Sequence, residues 1–273
     1  MAKNGYIGIS DKARKVKSIY IGVNGVARKV KKAYIGVNGV AQEWYSSGVL
    51  ISSLSAGDSV YMNVNGVRTE FLIVHSGLPS TAYDSSCNGI WLLMKDCYAQ
   101  MVWNTAYSND YANSSIHSYL NNTFINLLDS GVKNLVKTVK IPYTVGEGYN
   151  EETEGANTNV ASGANGLSTR VFLLSAYELG KTSSAINKEG APLPYFNYND
   201  YSFATAYFNG TAVRWWLRSP SLETSECAVT VNTSGTISGA DLVDSLYINT
   251  PYVRPALILP TTAMVDSDFN VIA

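Results

Sequence analysis

Tyr20-Ile21-Gly22-Val23-Asn24-Gly25-Val26-Ala27 recurs as Tyr34-Ile35-Gly36-Val37-Asn38-Gly39-Val40-Ala41, and begins a third time at Tyr6-Ile7-Gly8-Ile9, a spacing of fourteen residues. An Asn-Gly pair between β-branched residues is the strongest short signal for a two-residue hairpin turn, because both central positions need positive φ. Each repeat therefore reads as strand, tight turn, strand. The links Arg14-Lys15-Val16-Lys17 and Arg28-Lys29-Val30-Lys31-Lys32 alternate charged and apolar residues, the pattern of a half-buried strand with a cationic outer face. Hairpins of this size enclose no core of their own, so the repeats are expected to pack on neighbours.

Charge divides the chain. Residues 1–44 hold nine Lys or Arg against Asp11 and Glu43, a net +7; with the whole chain at −1, residues 45–273 carry −8. This asymmetry, with a Ser46-Ser47-Gly48 boundary, predicts a basic β-hairpin repeat module over residues 1–47 and a larger domain over 48–273. No recognised nucleic-acid motif accompanies the basic residues, so nucleic acid is not an expected partner.

Of the 273 residues, 46% are apolar and 15% charged, enough for one large core. Nineteen tyrosines among many Asn, Ser and Thr match the composition of recognition surfaces and equally that of β-rich surfaces. No apolar run reaches the ~18–20 residues that span a bilayer, and Met1-Ala2-Lys3-Asn4-Gly5 opens no signal-peptide segment. No membrane partner is expected, and synthesis in a bacterial cytoplasm without a signal peptide is. Cys87, Cys97 and Cys227 have no metal-type spacing and predict neither a disulfide framework nor a metal site.

Along the large domain, Asn65-Gly66 predicts another hairpin, and Ile90-Trp91-Leu92-Leu93-Met94 a buried strand. Ser114 or Ser115 is placed to cap a helix through Ile116, Tyr119, Leu120, Phe124, Leu127 and Leu128, with Gly131 ending it. Residues 145–168 read as a long surface loop, and Ser175-Ala176-Tyr177-Glu178 as a capping box opening a brief helix. The remainder reads as β.

Trp215-Trp216-Leu217-Arg218-Ser219-Pro220 and Val253-Arg254-Pro255-Ala256-Leu257-Ile258-Leu259, with the 115–128 helix and Val171–Ser175, resemble a family of bacterial and phage domains of unassigned function. That family is similar to the C-type-lectin-like fold, as are formylglycine-generating enzymes and the variable proteins of diversity-generating retroelements. The resemblance covers residues 55–260 and implies an α+β, C-type-lectin-like domain preceded by the small β-hairpin repeat module. The repeats separately resemble basic hairpin repeats in tail proteins of phages and prophages of Gram-positive gut bacteria. Together they imply a non-enzymatic tail-fibre or receptor-binding protein of a phage virion, recognising a bacterial surface glycan or protein. Other virion tail proteins would bind through the basic repeats, and a homo-oligomer, a trimer by analogy, is the expected assembly.

In lectin-like domains the exposed ligand face falls between the two C-terminal motifs. The resemblance therefore places ligand-binding residues at Glu223, Glu226, Asn232, Asp244, Tyr247, Asn249 and Tyr252. Trp215 and Trp216 are adjacent on a strand and face opposite sides, which reads as scaffold; Arg218 and Arg254 read as guanidinium clamps on carboxylates or loop carbonyls. No catalytic residue, cofactor or metal is expected: HExxH, GxSxG, Walker and dinucleotide motifs are missing from the sequence. Cys227 stands alone where formylglycine-generating enzymes pair cysteines. Asp241 and Asp244 by themselves make a thin calcium site, since that ion takes six to eight oxygens. Two alternatives stay open, an enzyme of the formylglycine-generating or glycan-cleaving type, using acids such as Glu147, Glu151, Glu152 and Glu154, and a bacterial adhesin-like protein.

Overall fold

The computed structural model describes residues 6–9, 12–16, 18–30, 32–46, 48–182, 184–196, 200–244 and 250–272. The N-terminal repeats form three separate hairpins, Tyr6–Ile9 with Lys12–Lys15, Tyr20–Val23 with Val26–Lys29, and Lys32–Val37 with Val40–Ser46. Asn24-Gly25 and Asn38-Gly39 take positive φ (52° and 77°; 50° and 76°), the left-handed pair that a tight hairpin turn requires. Tyr20, Ile21, Val26, Tyr34, Ile35 and Val40 on these strands are exposed.

Two five-stranded sheets make the body. The first runs, in spatial order, Val171–Phe172, Ala256–Leu259, Gly89–Met94, Val67–Gly77 and Ser59–Val64, antiparallel throughout. The second runs Ala99–Gln100, Tyr252–Val253, Trp215–Pro220, Cys227–Val231 and Ile237–Leu242, with one parallel contact between Trp215 and Tyr252. The chain passes from sheet to sheet twice, at 95–98 and at Arg254-Pro255, so that 89–100 and 252–259 form one kinked ladder through both. At the kink the 95–98 side carries more residues than the side facing it. Arg254 fastens this bulge, Nε donating to the Met94 carbonyl and Nη2 to that of Lys95, with its guanidinium 4.8 Å from the Trp215 ring centroid.

Every residue of Gly89–Met94 is buried because alternate side chains enter different clusters. Ile90, Leu92 and Met94 join Trp216, Leu257 and Leu259; Trp91 and Leu93 join Trp215, Leu217 and Ile258. A strand covered on both faces reads as a continuous apolar run rather than an alternating one. The indole N–H groups of Trp91, Trp103, Trp215 and Trp216 each donate to a backbone carbonyl, so burying these rings strands no donor.

The structure corrects the C-type-lectin-like expectation. The structure is mostly β-sheet, 39% strand against 13% helix, and smaller sheets of two or three strands accompany the two larger ones. The architecture is mainly β, and α+β describes it only loosely. The predicted 115–128 helix stops early: Ser114 caps it, its Oγ accepting from His117 N, but the α-helix spans only Ser115–Asn122. A 3-10 turn, Phe124–Leu127, follows, and Gly131 lies inside a second short helix, Ser130–Leu135, rather than ending the first. Asn122 and Thr123 are weak helix formers, and the break lets Phe124 and Ile125 turn into the core.

The 145–168 region is also not a plain loop. Val139–Ile141 pairs with Leu167–Thr169, Tyr143–Thr144 with Val160–Ala161, and Tyr149–Asn150 with Gly155–Ala156, so 139–169 is one interrupted β arm. At Ser175–Glu178 both capping-box bonds form, Ser175 N to Glu178 Oε2 and Glu178 N to Ser175 Oγ, yet turns rather than a helix follow. No helix among the described residues is long and apolar enough to cross a membrane.

Candidate functional site

Under the C-terminal loops lies a buried polar knot. Arg218 and Glu178, both without solvent exposure, form a two-pronged ion pair, Nη1 to Oε2 at 2.6 Å and Nη2 to Oε1 at 2.9 Å. The remaining guanidinium N–H groups reach the carbonyls of Pro142, Leu173 and Glu189, which uses all five donors. Burial by itself would lower the Arg218 pKa, but the Glu178 charge and hydrogen bonds outweigh it and the net shift is upward. Tyr83 donates to Glu178 Oε1, and burial followed by that carboxylate pushes its phenol well above its ordinary range. Glu189, likewise buried, accepts from Thr144 N and Oγ1 and from Ser219 Oγ. Arg218 thus joins the base of the arm, the 173–178 turn and the 187–190 segment to the strand that carries the Trp-Trp motif.

Above this knot Asn109, fully buried, organises the 221–227 loop. Its Nδ2 lies within 3.2 Å of the carbonyls of Ser221, Thr224 and Cys227, its backbone N–H donates to Ser225 O, and its Oδ1 accepts from Gly148 N on the arm. Gly148 passes so close that a Cβ there would stand 2.2 Å from the Ser221 carbonyl. Glu151 completes the link, Oε1 accepting from Ser225 Oγ at 2.9 Å. The arm tip itself encloses an open polar cleft of about 760 Å³ lined by Glu147, Tyr149, Asn150, Glu151, Asn157 and Asn159 among others.

The residues expected to bind ligand separate into two groups. Glu223 and Glu226 are exposed on the Asn109-held loop. Asp244 adjoins them, because Val243 N donates to Glu226 O. Asn232 lies beyond the other end of Cys227–Val231, where its Oδ1 accepts from Ser234 N, Ser234 Oγ and Thr236 N and closes a hairpin turn. Tyr252 sits across the sheet from that end, its ring 4.8 Å from Phe208. Tyr247 and Asn249 lie outside the described residues. Asp241 is paired with Arg214 at 2.5 Å and accepts from Thr230 Oγ1. Among the described residues no group of three or more His, Cys, Asp or Glu is arranged to hold a metal.

Asn109, Gly148, Glu178 and Glu189 escaped sequence reasoning. Asn109 follows the unremarkable Tyr107-Ser108, and only the fold shows that it faces four loop groups. Glu178 carried a signal, the Ser-x-x-Glu box, but for a helix start rather than for an arginine partner.

The molecule is mainly β, and Asn109 and Arg218 hold its C-terminal loop and strand from within. A family model described as a domain of unknown function (DUF6273) matches residues 88–261, and the chain belongs to that family. No curated protein and no solved structure matches it. The match begins just before the central strand Gly89–Met94, takes in the arm, the Arg218, Glu178 and Glu189 side chains of the buried knot and both C-terminal motifs, and leaves Tyr83 and the basic hairpins outside.

Proposed function

We propose that this chain is a non-enzymatic ligand-binding protein, a tail-fibre or receptor-binding component of a phage or prophage, recognising a bacterial surface glycan or protein. The observation that carries the reading is the pre-organised loop face: Asn109 fixes the 221–227 backbone from inside while Glu223 and Glu226 project outward beside the cleft of the arm. A loop held this way loses little conformational freedom on binding, which is what a recognition surface gains from pre-organisation. Binding residues concentrate on loops mounted on a rigid scaffold. Exposed Glu151, Glu152, Glu154, Glu223 and Glu226 make this face acidic, so its ligand presents amines or other cationic groups, as a surface protein or an amino-substituted glycan does.

The basic hairpins support attachment to other virion proteins. Isolated two-stranded hairpins are at best marginally stable in water, and their exposed Tyr, Ile and Val side chains would be covered in an assembly, with copies of the chain arranged symmetrically.

Adsorption of fluorescently labelled protein to a panel of Gram-positive gut bacteria tests the reading. Strain-selective binding is expected. Failure to bind any strain, with the protein folded, would remove the receptor-binding role.

A further inference from the structure

We infer a second binding site, separate from the acidic loop face, in a groove of about 550 Å³ between the Asn65-Gly66 and Asn209-Gly210 hairpin turns, built for a neutral, hydroxylated ligand of the saccharide class. The volume lies within the ~300–1,000 Å³ of small-molecule sites. The groove is lined by the Lys95-Asp96-Cys97 bulge at the kink between the two sheets. Arg254 grips the bulge through the Met94 and Lys95 carbonyls, so it does not collapse back onto the ladder.

The lining combines aromatic rings with balanced charge. Tyr61, Tyr98 and Phe208 each have a fixed neighbour: Arg68 lies 3.4 Å over the Tyr61 ring, Phe124 meets Tyr98 edge-on at 5.0 Å, and Tyr252 leans on Phe208. The two cations are already engaged. Arg68 donates to Asn270 Oδ1 and the Asp268 carbonyl, and Lys95 pairs with both oxygens of Glu70 at 3.0 and 3.1 Å. Asp96 is exposed and makes no hydrogen bond among the described residues, and the Asn65 and Asn209 amides stand on the two rims.

This inventory selects the ligand. An anion would meet Asp96 and would have to pull Lys95 or Arg68 from existing partners. A hydroxylated ring finds acceptors at Asp96, donors and acceptors at the two amides, and aromatic surface for its C–H face. An extended peptide could not add to the sheet at the edge strand Ser59–Val64, which is already covered: Tyr61 N donates to Phe269 O, Asn65 N donates to Leu127 O, and bridges join Tyr61 to Asn270 and Val64 to Leu128.

Saturation-transfer NMR on the full chain, with triacetylchitotriose, maltotriose and cellotriose as neutral probes and a sulfated trisaccharide as the charged comparison, tests the site. At least one neutral probe should give contact signals, weakened roughly tenfold or more in Asp96→Ala and in Phe208→Ala, and unchanged in Glu223→Gln/Glu226→Gln. Asp96 is exposed and makes no hydrogen bond among the described residues, so its variant should melt with the wild type and separates lost contact from lost fold. No signal from any neutral probe, stronger binding of the sulfated sugar, or binding that survives both groove variants would overturn the inference. Because the loop-face variant is carried alongside, failure of the groove leaves the loop-face reading standing, and the reverse.

Discussion

Arg218 and Glu178, forty residues apart in sequence, meet as a bidentate ion pair with no solvent exposure on either side chain. Removing one partner of such a pair leaves an uncompensated buried charge, at about 3–5 kcal/mol. Arg218→Met is therefore expected to lose about that much stability in urea denaturation, and Glu178→Gln a comparable amount. The double variant Arg218→Met/Glu178→Gln should be less destabilised than the sum of the two. Strict additivity would show that the pair is not coupled.

Asn109→Ala removes the side chain that faces three carbonyls of the 221–227 loop and the Gly148 amide. Leaving such buried groups without partners costs about 1–3 kcal/mol each. Faster amide exchange confined to 147–151 and 221–227 is the expected signature. Uniform loosening, or none, would deny Asn109 its organising role.

Much of this was legible in the sequence, and the reasons divide cleanly. Asn24-Gly25, Asn38-Gly39 and Asn65-Gly66 announce their turns because the need for positive φ is local. Asn209-Gly210 takes the same turn, φ 50° and 77°. Adjacent Trp215 and Trp216 enter opposite clusters, as strand alternation demands. The arm was hidden because its strands are only two or three residues long and are paired partly through tertiary contacts, Gly148 on Asn109 above all. The lectin-like expectation rested on the two C-terminal motifs with the 115–128 helix and Val171–Ser175. Those motifs describe a strand and a corner, and they do not specify how the sheets around them are ordered.

Both histidines resist protonation. Burial lowers the His117 pKa from its ordinary 6.5, against a smaller upward pull from the Ala112 carbonyl, and burial lowers His75 in the same sense. The unfolded chain therefore binds protons near pH 6.5 that the folded chain refuses, so stability falls as pH drops through that value. The melting temperature should be level from about pH 8 to 7 and decline from about 7 to 5.5, and His117→Gln should flatten that decline. An identical slope in the variant would place the titration elsewhere.

Thiol chemistry should be slow in the native state. Burial pushes Cys87 and Cys97 each up to about 12, and raises Cys227 as well, so almost no thiolate exists at neutral pH. Ellman's reagent at pH 8 is expected to leave Cys87 and Cys97 unmodified until denaturant is added, with Cys227, half-exposed, reacting first. Prompt modification of Cys87 or Cys97 would mean that the sheet interior opens readily.

The most direct test of the recognition role compares strain-selective adsorption of the wild type with Glu223→Ala/Glu226→Ala, both residues being exposed on a loop that Asn109 holds from within. The account predicts selective binding by the wild type and its loss in a variant that melts at the same temperature. Selective binding undiminished in that variant would contradict it and move recognition off the loop face.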